Sequence, residues 1–479
     1  MSGDFVSWGD YEAVEGMGLH TQNDLNDLSK ALLVGNEQNP PSAIVSGDGF
    51  ALRTESLEKT LKNVTYKMEN VKFWRQITKK AAYNTSEEYN SLLSYGENPD
   101  AGWIAEGALP NEDDSTYERK ISTVKFLGTT RRVSHVAQTI RPAHGNILAQ
   151  EGVNGTMHLL KIIERALFFA RSDLSALQFD GFEKLIEDNA PSTNIIDMRG
   201  KPLTEDVLTD GALIAQDQPN YGQVTDLFCT PTAKSDLVKA FFPKERVDLF
   251  SKPSNGLVGM DIKGFTSPAG DVRIQSDVFI DDGGSPTAAI IGEAAKVPST
   301  PTISTAATSP VDSTAQFVAA DAGDYFYKIV ACNRFGRAAA IDLVAGPTAV
   351  TVAAGDKVTF GITPGGVLPE WWEVYRTKKD AAVGTTRLIL RVPHSTVAAE
   401  LVINDTNAYL PGTTTSFLLQ QNEESMIVKQ LAPMIKVPLA TIDSSIRFML
   451  LCYMVPQLFT PGKNILYQNV GRAIGSVGS

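Results

Sequence analysis

The sequence predicts an α+β chain interrupted by an inserted all-β unit, and three stretches carry that prediction. From Tyr325 onward, Tyr325, Tyr327, Ile329 and Ala331 recur at every second position, which puts them on one face of a strand. A polar turn follows at residues 333–336, and a second strand at Trp371-Trp372-Glu373-Val374-Tyr375-Arg376. Residues 147–177 instead carry Val153, Met157, Leu160, Ile163, Leu167 and Ala170 at steps of three and four, the spacing of a long amphipathic helix. Finally, Thr, Ala and Val dominate residues 298–418 between two Pro/Thr-rich borders, Val297-Pro298-Ser299-Thr300-Pro301 and Leu410-Pro411-Gly412-Thr413-Thr414-Thr415. A mixed α/β pattern precedes the first border and resumes after the second, over residues 428–470.

The other elements follow in order. Residues 1–50 are rich in Gly, Asn and Ser and read as an extended arm, with one helical candidate at 24–34. Residues 52–71 carry Leu57, Leu61, Val64 and Met68 at helical spacing. Residues 83–137 are strand-like around a turn-rich middle at 96–102, which predicts a long projecting hairpin whose return strand is 121–128. Pro142 and Gly145 then break the chain before Asn146, a good helix cap. Gly152 and Gly155 weaken the first turns of the long helix. Thr204 caps a helix to Ala215, residues 227–231 form a short buried strand, and 233–242 a helix. Two strands are expected in 265–280, and the apolar run 446–455 should be wholly buried.

A chain of 479 residues is long enough for two or three domains. Its 43% hydrophobic and 20% charged residues place it among ordinary soluble globular proteins. No apolar run reaches the ~18 residues of a membrane span, and Met1-Ser2-Gly3-Asp4-Phe5 has no signal-peptide character. Cys229, Cys332 and Cys452 are far apart in apolar surroundings and read as buried reduced thiols. The formal net charge is −12. It is unevenly spread. Residues 1–60 hold ten acids and three bases, 84–119 nine acids and one base, 120–145 five bases and no acid. Within residues 298–418 acids and bases nearly cancel.

Local motifs for catalysis are missing: no phosphate loop, no nucleophile elbow, no His-Glu-x-x-His. The five histidines are scattered, and Asp281-Asp282 and Glu423-Glu424 sit in turn-like contexts. The expectation is therefore no catalytic residue, no cofactor and no metal.

The paired strands at 325–336 and 371–376 resemble those of fibronectin type III and bacterial immunoglobulin-like modules. The whole layout is similar to major capsid proteins of tailed phages with the Hong Kong 97 capsid fold, and more closely to those of large contractile-tailed phages. That likeness rests on Phe179-Asp180-Gly181-Phe182-Glu183-Lys184-Leu185-Ile186, on Pro202-Leu203-Thr204-Glu205, on Pro433-Met434-Ile435-Lys436-Val437-Pro438-Leu439-Ala440 and on Pro461-Gly462-Lys463-Asn464. In that group an immunoglobulin-like module also interrupts the chain.

The resemblance implies an N-arm over 1–70 and a peripheral domain over 71–202, with the extended loop at 83–137 and the spine helix at 147–177. It implies an axial domain in two parts, 203–297 and 419–455, the immunoglobulin-like insert at 298–418 between them, and a C-terminal return to the peripheral domain over 456–479. It implies self-assembly into hexamers and pentamers of an icosahedral virion shell in the host cytoplasm, around double-stranded DNA. A separate scaffolding protein, a portal and, on some shells, decoration proteins would be the partners. An acidic chain should touch DNA only weakly and without sequence preference, and no membrane is involved. No Lys lies between residues 81 and 119, so a lysine cross-link on the loop is not expected. Candidate inter-subunit residues are Trp103 and Ile104 at the hairpin tip, Asp113 and Asp114 on an acidic limb, and Arg131 and Arg132 on a basic one. The alternative is a phage tail or bacterial surface protein carrying an immunoglobulin-like module. An enzyme with an accessory module would need a carboxylate pair in a cleft.

Overall fold

The protein is described by a computed structural model over residues 65–473, apart from 97–102, 110–111, 141–144, 242–261, 281–283, 287–289, 292, 294, 345, 347, 395–398 and 441–442. The expected arm to residue 64, its helical candidate at 24–34, most of the 52–71 helix, Asp281-Asp282, His20 and His144 lie outside the described residues. The chain divides into two compact units. One comprises residues 1–64 and 136–147; the other holds 65–135 and 148–479. Of the first, the described part is the end of the short His135–Thr139 helix with Ile140, and residues 145–147.

The long helix spans Ile147–Phe169. It ends eight residues before the expected 177. Ser172, Asp173 and Ser175 compete for backbone hydrogen bonds there, and Asp180 accepts from the Ser172 amide at 2.8 Å. Gly181 then crosses the helix end so closely that a Cβ would lie 2.8 Å from the Ala166 and Phe168 carbonyl oxygens. A helix absent from the sequence reading follows at Phe182–Asn189.

A four-stranded sheet covers the long helix, in the order Lys79–Ala81, Met426–Pro438, Ser445–Leu458, Lys125–Ser134. Phe448, Leu450, Cys452 and Met454 alternate along one strand and join Leu159, Leu160 and Ile163 of the helix in one core. Gly155 permits the approach, because a Cβ there would sit 2.7 Å from Leu450 Cδ1. Two expectations are corrected here. Residues 428–470 are strands rather than mixed α/β. The apolar run 446–455 is buried on one face only: Ile446 is exposed, and Met449, Leu451 and Tyr453 are half-buried.

A second core lies under a six-stranded sheet ordered Ile195–Asp197, Ile465–Val470, Thr414–Leu419, Asp226–Cys229, Gly270–Ser276, Gly264–Ser267. Helices Glu205–Gln216 and Pro231–Phe241 pack on it through Leu208, Ala212 and Leu237. Thr204 caps the first as expected, its hydroxyl accepting from the Val207 amide at 3.5 Å. The second helix and the strand before it also fall where the sequence places them. Residues 414–418, read as the end of the insert, form a strand of this sheet, as does part of the expected C-terminal return.

Between these parts stands an all-β unit with its own core. One sheet orders Thr302–Thr308, Val358–Thr363, Leu401–Asp405; another runs Arg387–Pro393, Trp371–Arg376, Tyr327–Asn333, Gly336–Arg337. Tyr325, Tyr327, Ile329 and Ala331 are all buried, with Phe360, Ile362, Trp372 and Val374 beside them. The two strands read from sequence pair antiparallel, Ile329 opposite Val374. The α+β class is that expected, and along the chain the hairpin is followed by the long helix, the helices and strands of the six-stranded sheet, the all-β unit and two long strands.

Candidate assembly surface

The hairpin is made of Ser86–Ser94 and Thr116–Thr123, in register with Leu92 opposite Tyr117, and no third described strand joins them. Alternation on a two-stranded ribbon leaves both faces bare. Leu93, Tyr117 and Ile121 are exposed, and beyond the strands Trp103 is 87% and Leu109 91% exposed, with Ile104 exposed beside them. A lone hairpin is at best marginally stable in water. This one is held at its root. The Tyr89 ring meets Phe459 edge-on at 4.8 Å, and its hydroxyl donates to the Leu458 carbonyl at 3.2 Å. Glu87 accepts from the Tyr83 amide at 2.8 Å and lies 3.5 Å from Lys429. The Tyr83 amide first, then that of Asn84 and Lys429, hold its carboxyl below the usual range against the effect of burial.

The arm partly neutralises itself. Arg119 pairs with Glu88 across the hairpin, and Lys120 lies 3.4 Å from Glu118. Asp113 and Asp114 are exposed near the tip. Arg131 and Arg132, expected on the returning limb, are on a different sheet. The chain leaves the hairpin at Val124, which is buried, and Lys125–Ser134 then pairs with Ser445–Leu458. The reason is packing: Val124, Leu127 and Val133 have apolar partners there that the bare hairpin lacks. Arg131 is half-buried against Gly155, 3.7 Å from Glu151. Arg132 is 64% exposed, 3.9 Å from Asp443.

Two buried charged clusters escaped the sequence reading. Glu164 of the long helix is fully buried and accepts the amides of Lys72, Phe73 and Trp74 at 2.7, 2.7 and 2.8 Å. Its neighbour is the fully buried Asp277, whose carboxyl acts on it. Burial and the neighbouring carboxylate together push Glu164 up to about 8, although the amides pull the other way, and burial raises Asp277 as well. In the inserted unit, Arg376 and Asp405 pair at 2.5 Å, both buried, and the Tyr327 hydroxyl donates to Asp405 at 2.9 Å. A one-in-four spacing could have flagged Glu164 as a charge on the helix's apolar face; nothing local marks its remote partners.

Glu164 and Asp277 are fully closed off from solvent. Among the described residues no group of three or more His, Cys, Asp or Glu is placed to hold a metal, and no helix is long and apolar enough to cross a membrane. The three cysteines are unpaired and buried, and burial pushes Cys229 up to about 12 and Cys452 up to about 11, which makes them poor nucleophiles. Glu423 pairs with Lys80 rather than with a second acid.

No family model matches the chain. It is 26% identical over 442 residues to a putative major capsid protein of Enterococcus phage phiEF24C, covering 88% of this chain and 90% of that one. It is 25% identical over 463 residues to the major capsid protein of Staphylococcus phage S25-3, covering 93% and 95%, and matches that of Staphylococcus phage K to the same extent. Among solved structures it is similar to the capsid of a native GTA particle, with TM-score 0.46 and 8% identity over 91% of this chain and 100% of that one. A Gordonia phage Cozz chain gives TM-score 0.44 and 10% identity over 90% and 97%. These structural likenesses are too distant to carry an argument. The sequence relationship runs nearly end to end, and with the element order of the Hong Kong 97-type fold it makes this chain a homologue of the phage major capsid proteins, a structural protein of the virion shell rather than an enzyme.

Proposed function

We propose that copies of this chain close into pentamers and hexamers of an icosahedral head shell around double-stranded phage DNA, each copy completed by its neighbour's arm. The observation that carries this reading is the hairpin itself. It has two strands, bare faces and bulky apolar residues at its tip, Trp103 and Ile104 among them. Such an element gains its cover from another chain. Asp113 and Asp114 supply the acidic side of the contact, and Arg132, with the half-buried Arg131, a basic side on the receiving copy. The inserted β-unit projects on the outer surface as a self-contained immunoglobulin-like domain. A separate scaffolding protein and a portal direct closure, and decoration proteins bind outside. A net charge of −12 keeps contact with the genome weak and non-specific.

Electron microscopy of the purified chain, alone and with its phage's assembly proteins, tests the reading. Closed shells are expected with the scaffold present. A monodisperse monomer under every assembly condition would refute it.

A further inference from the structure

A cleft of about 500 Å³ lies where the inserted β-unit meets the part of the chain that carries the six-stranded sheet. The insert supplies Lys378 and Arg387 to its wall; the other side supplies the turn at Gly412 and Thr413 and, past the end of Ile465–Val470, Arg472. No described acid lines it. Lys378 and Arg387 lean on the same turn, since a Cβ at Gly412 would lie 3.5 Å from Lys378 Cε and 3.9 Å from Arg387 Cγ. Among the described residues Lys378 Nζ makes no hydrogen bond or ion pair, and Arg387 donates only to the Ser285 hydroxyl. Arg472 is bonded to Asp236 at 2.9 Å, but Lys239 draws on that same carboxylate at 3.2 Å, so two cations share one negative charge. Asp380, two residues beyond Lys378, is held by the Asp324 amide at 2.9 Å and does not line the cleft.

Charges of one sign held together repel each other, most strongly where the walls exclude water. These are held in place by the fold. Thr377, fully buried, takes the Phe326 amide on its hydroxyl at 3.1 Å and gives its own amide to the Phe326 carbonyl at 3.0 Å, which fixes the backbone leading into Lys378. Arg387 opens a strand with Arg376 opposite it. The chain thus keeps uncompensated positive charge at a fixed place. We propose that the cleft binds a small anion carrying two or more phosphate groups. A guanidinium presents a planar fork of N–H donors that matches phosphate oxygens, and an ammonium adds a compact point charge. The volume lies within the roughly 300–1,000 Å³ of small-ligand sites and exceeds what one phosphate group fills. The bound anion touches the insert on one side and its base on the other, so it braces the inserted unit where the chain leaves and rejoins the host. The site is independent of how copies of the chain meet.

The test is titration calorimetry of the full-length chain with inorganic tripolyphosphate at fixed ionic strength, read beside the thermal unfolding midpoint. One saturable site per chain is expected, and a higher midpoint for the inserted unit when the anion is bound. Lys378→Ala and Arg387→Ala, both at exposed positions, should each weaken binding about tenfold or more and leave the midpoint without anion unchanged. Lys357→Ala, on the insert but paired with Asp312 and outside the cleft, should bind as the wild type does. No saturable binding, or an equal loss in Lys357→Ala, would overturn the inference. So would a short DNA duplex that binds through Lys378 and Arg387 where tripolyphosphate does not, since the contact would then be with a phosphodiester backbone.

Discussion

The hairpin arm and the inserted β-unit begin from the same signal and end in opposite states. Both are strands with apolar residues on one face: Tyr325, Tyr327, Ile329 and Ala331 at every second position in the unit, Tyr117 and Ile121 four apart in the arm. In the inserted unit the apolar face of Tyr327–Asn333 meets Phe360 and Ile362 on a second sheet. Its buried Arg376 is matched by Asp405. In the arm Tyr117 and Ile121 face water, and the charges are exposed pairs such as Glu88 with Arg119. Period two specifies a strand and a face. It does not specify what covers the face. A unit that covers its own face is a domain; an element that does not is an interface awaiting a second chain.

If that contrast is right, the inserted unit should fail by itself and the arm should not. The largest effect is expected from Arg376→Ala. Removing one partner of a buried ion pair leaves Asp405 buried and uncompensated, which costs about 3–5 kcal/mol. Calorimetry should show one transition, that of the inserted unit, moving to lower temperature while the remainder holds its midpoint. A common shift of the whole molecule would mean that the unit is not self-contained.

The arm's root offers an intermediate test. Glu164 ties the long helix to residues 72–74, just before the strand that leads into the hairpin. Lys72 reaches the Ser276 carbonyl at 2.6 Å. Both carboxyls of the pair are raised in the folded state, Glu164 to about 8. The folded protein therefore holds a proton that the unfolded chain releases near pH 4.5, so stability falls as pH rises between those values. The slope is about 1.4 kcal/mol per pH unit for one proton, and it flattens above about pH 8. Because burial is the main cause of the Glu164 shift, Glu164→Gln should flatten the slope from pH 5 to 8 in denaturant titrations. An unchanged slope would mean that another group carries it.

How far the sequence could go is visible in these same residues. The Thr204 cap, the strand at 226–229 and the buried face of 325–331 were legible because each signal lies within a few residues. The end of the long helix was not, because Gly181 crosses it from eleven residues beyond Ala170. The destination of 125–134 was not, since its partner strand lies some three hundred residues later. The Glu164–Asp277 and Arg376–Asp405 pairs were invisible for the same reason. At the surface, the sequence identified Trp103 and Ile104 as odd for a monomer but could not separate Arg131 from Arg132.

That pair of arginines gives the finest test, and the smallest effect per molecule. They are neighbours on one strand, so their side chains point to opposite faces. Arg131 faces the long helix, half-buried against Gly155 and Glu151. Arg132 faces outward, near Asp443. Arg131→Glu places a carboxylate beside Glu151 in a half-buried site and should lower monomer stability by about 1–3 kcal/mol. Arg132→Glu should leave it within about 0.5 kcal/mol. An exposed pair to a neighbour's arm is worth only about 0–1 kcal/mol, yet the loss recurs at every contact of a shell. Arg132→Glu should therefore raise the protein concentration needed for closure, and do so more at low salt, where screening is weakest. Adding Asp113→Lys with Asp114→Lys should bring that concentration back toward the wild-type value. Assembly by Arg132→Glu that matches wild type at low salt would take Arg132 out of the interface, and leave the arm's docking to its apolar tip.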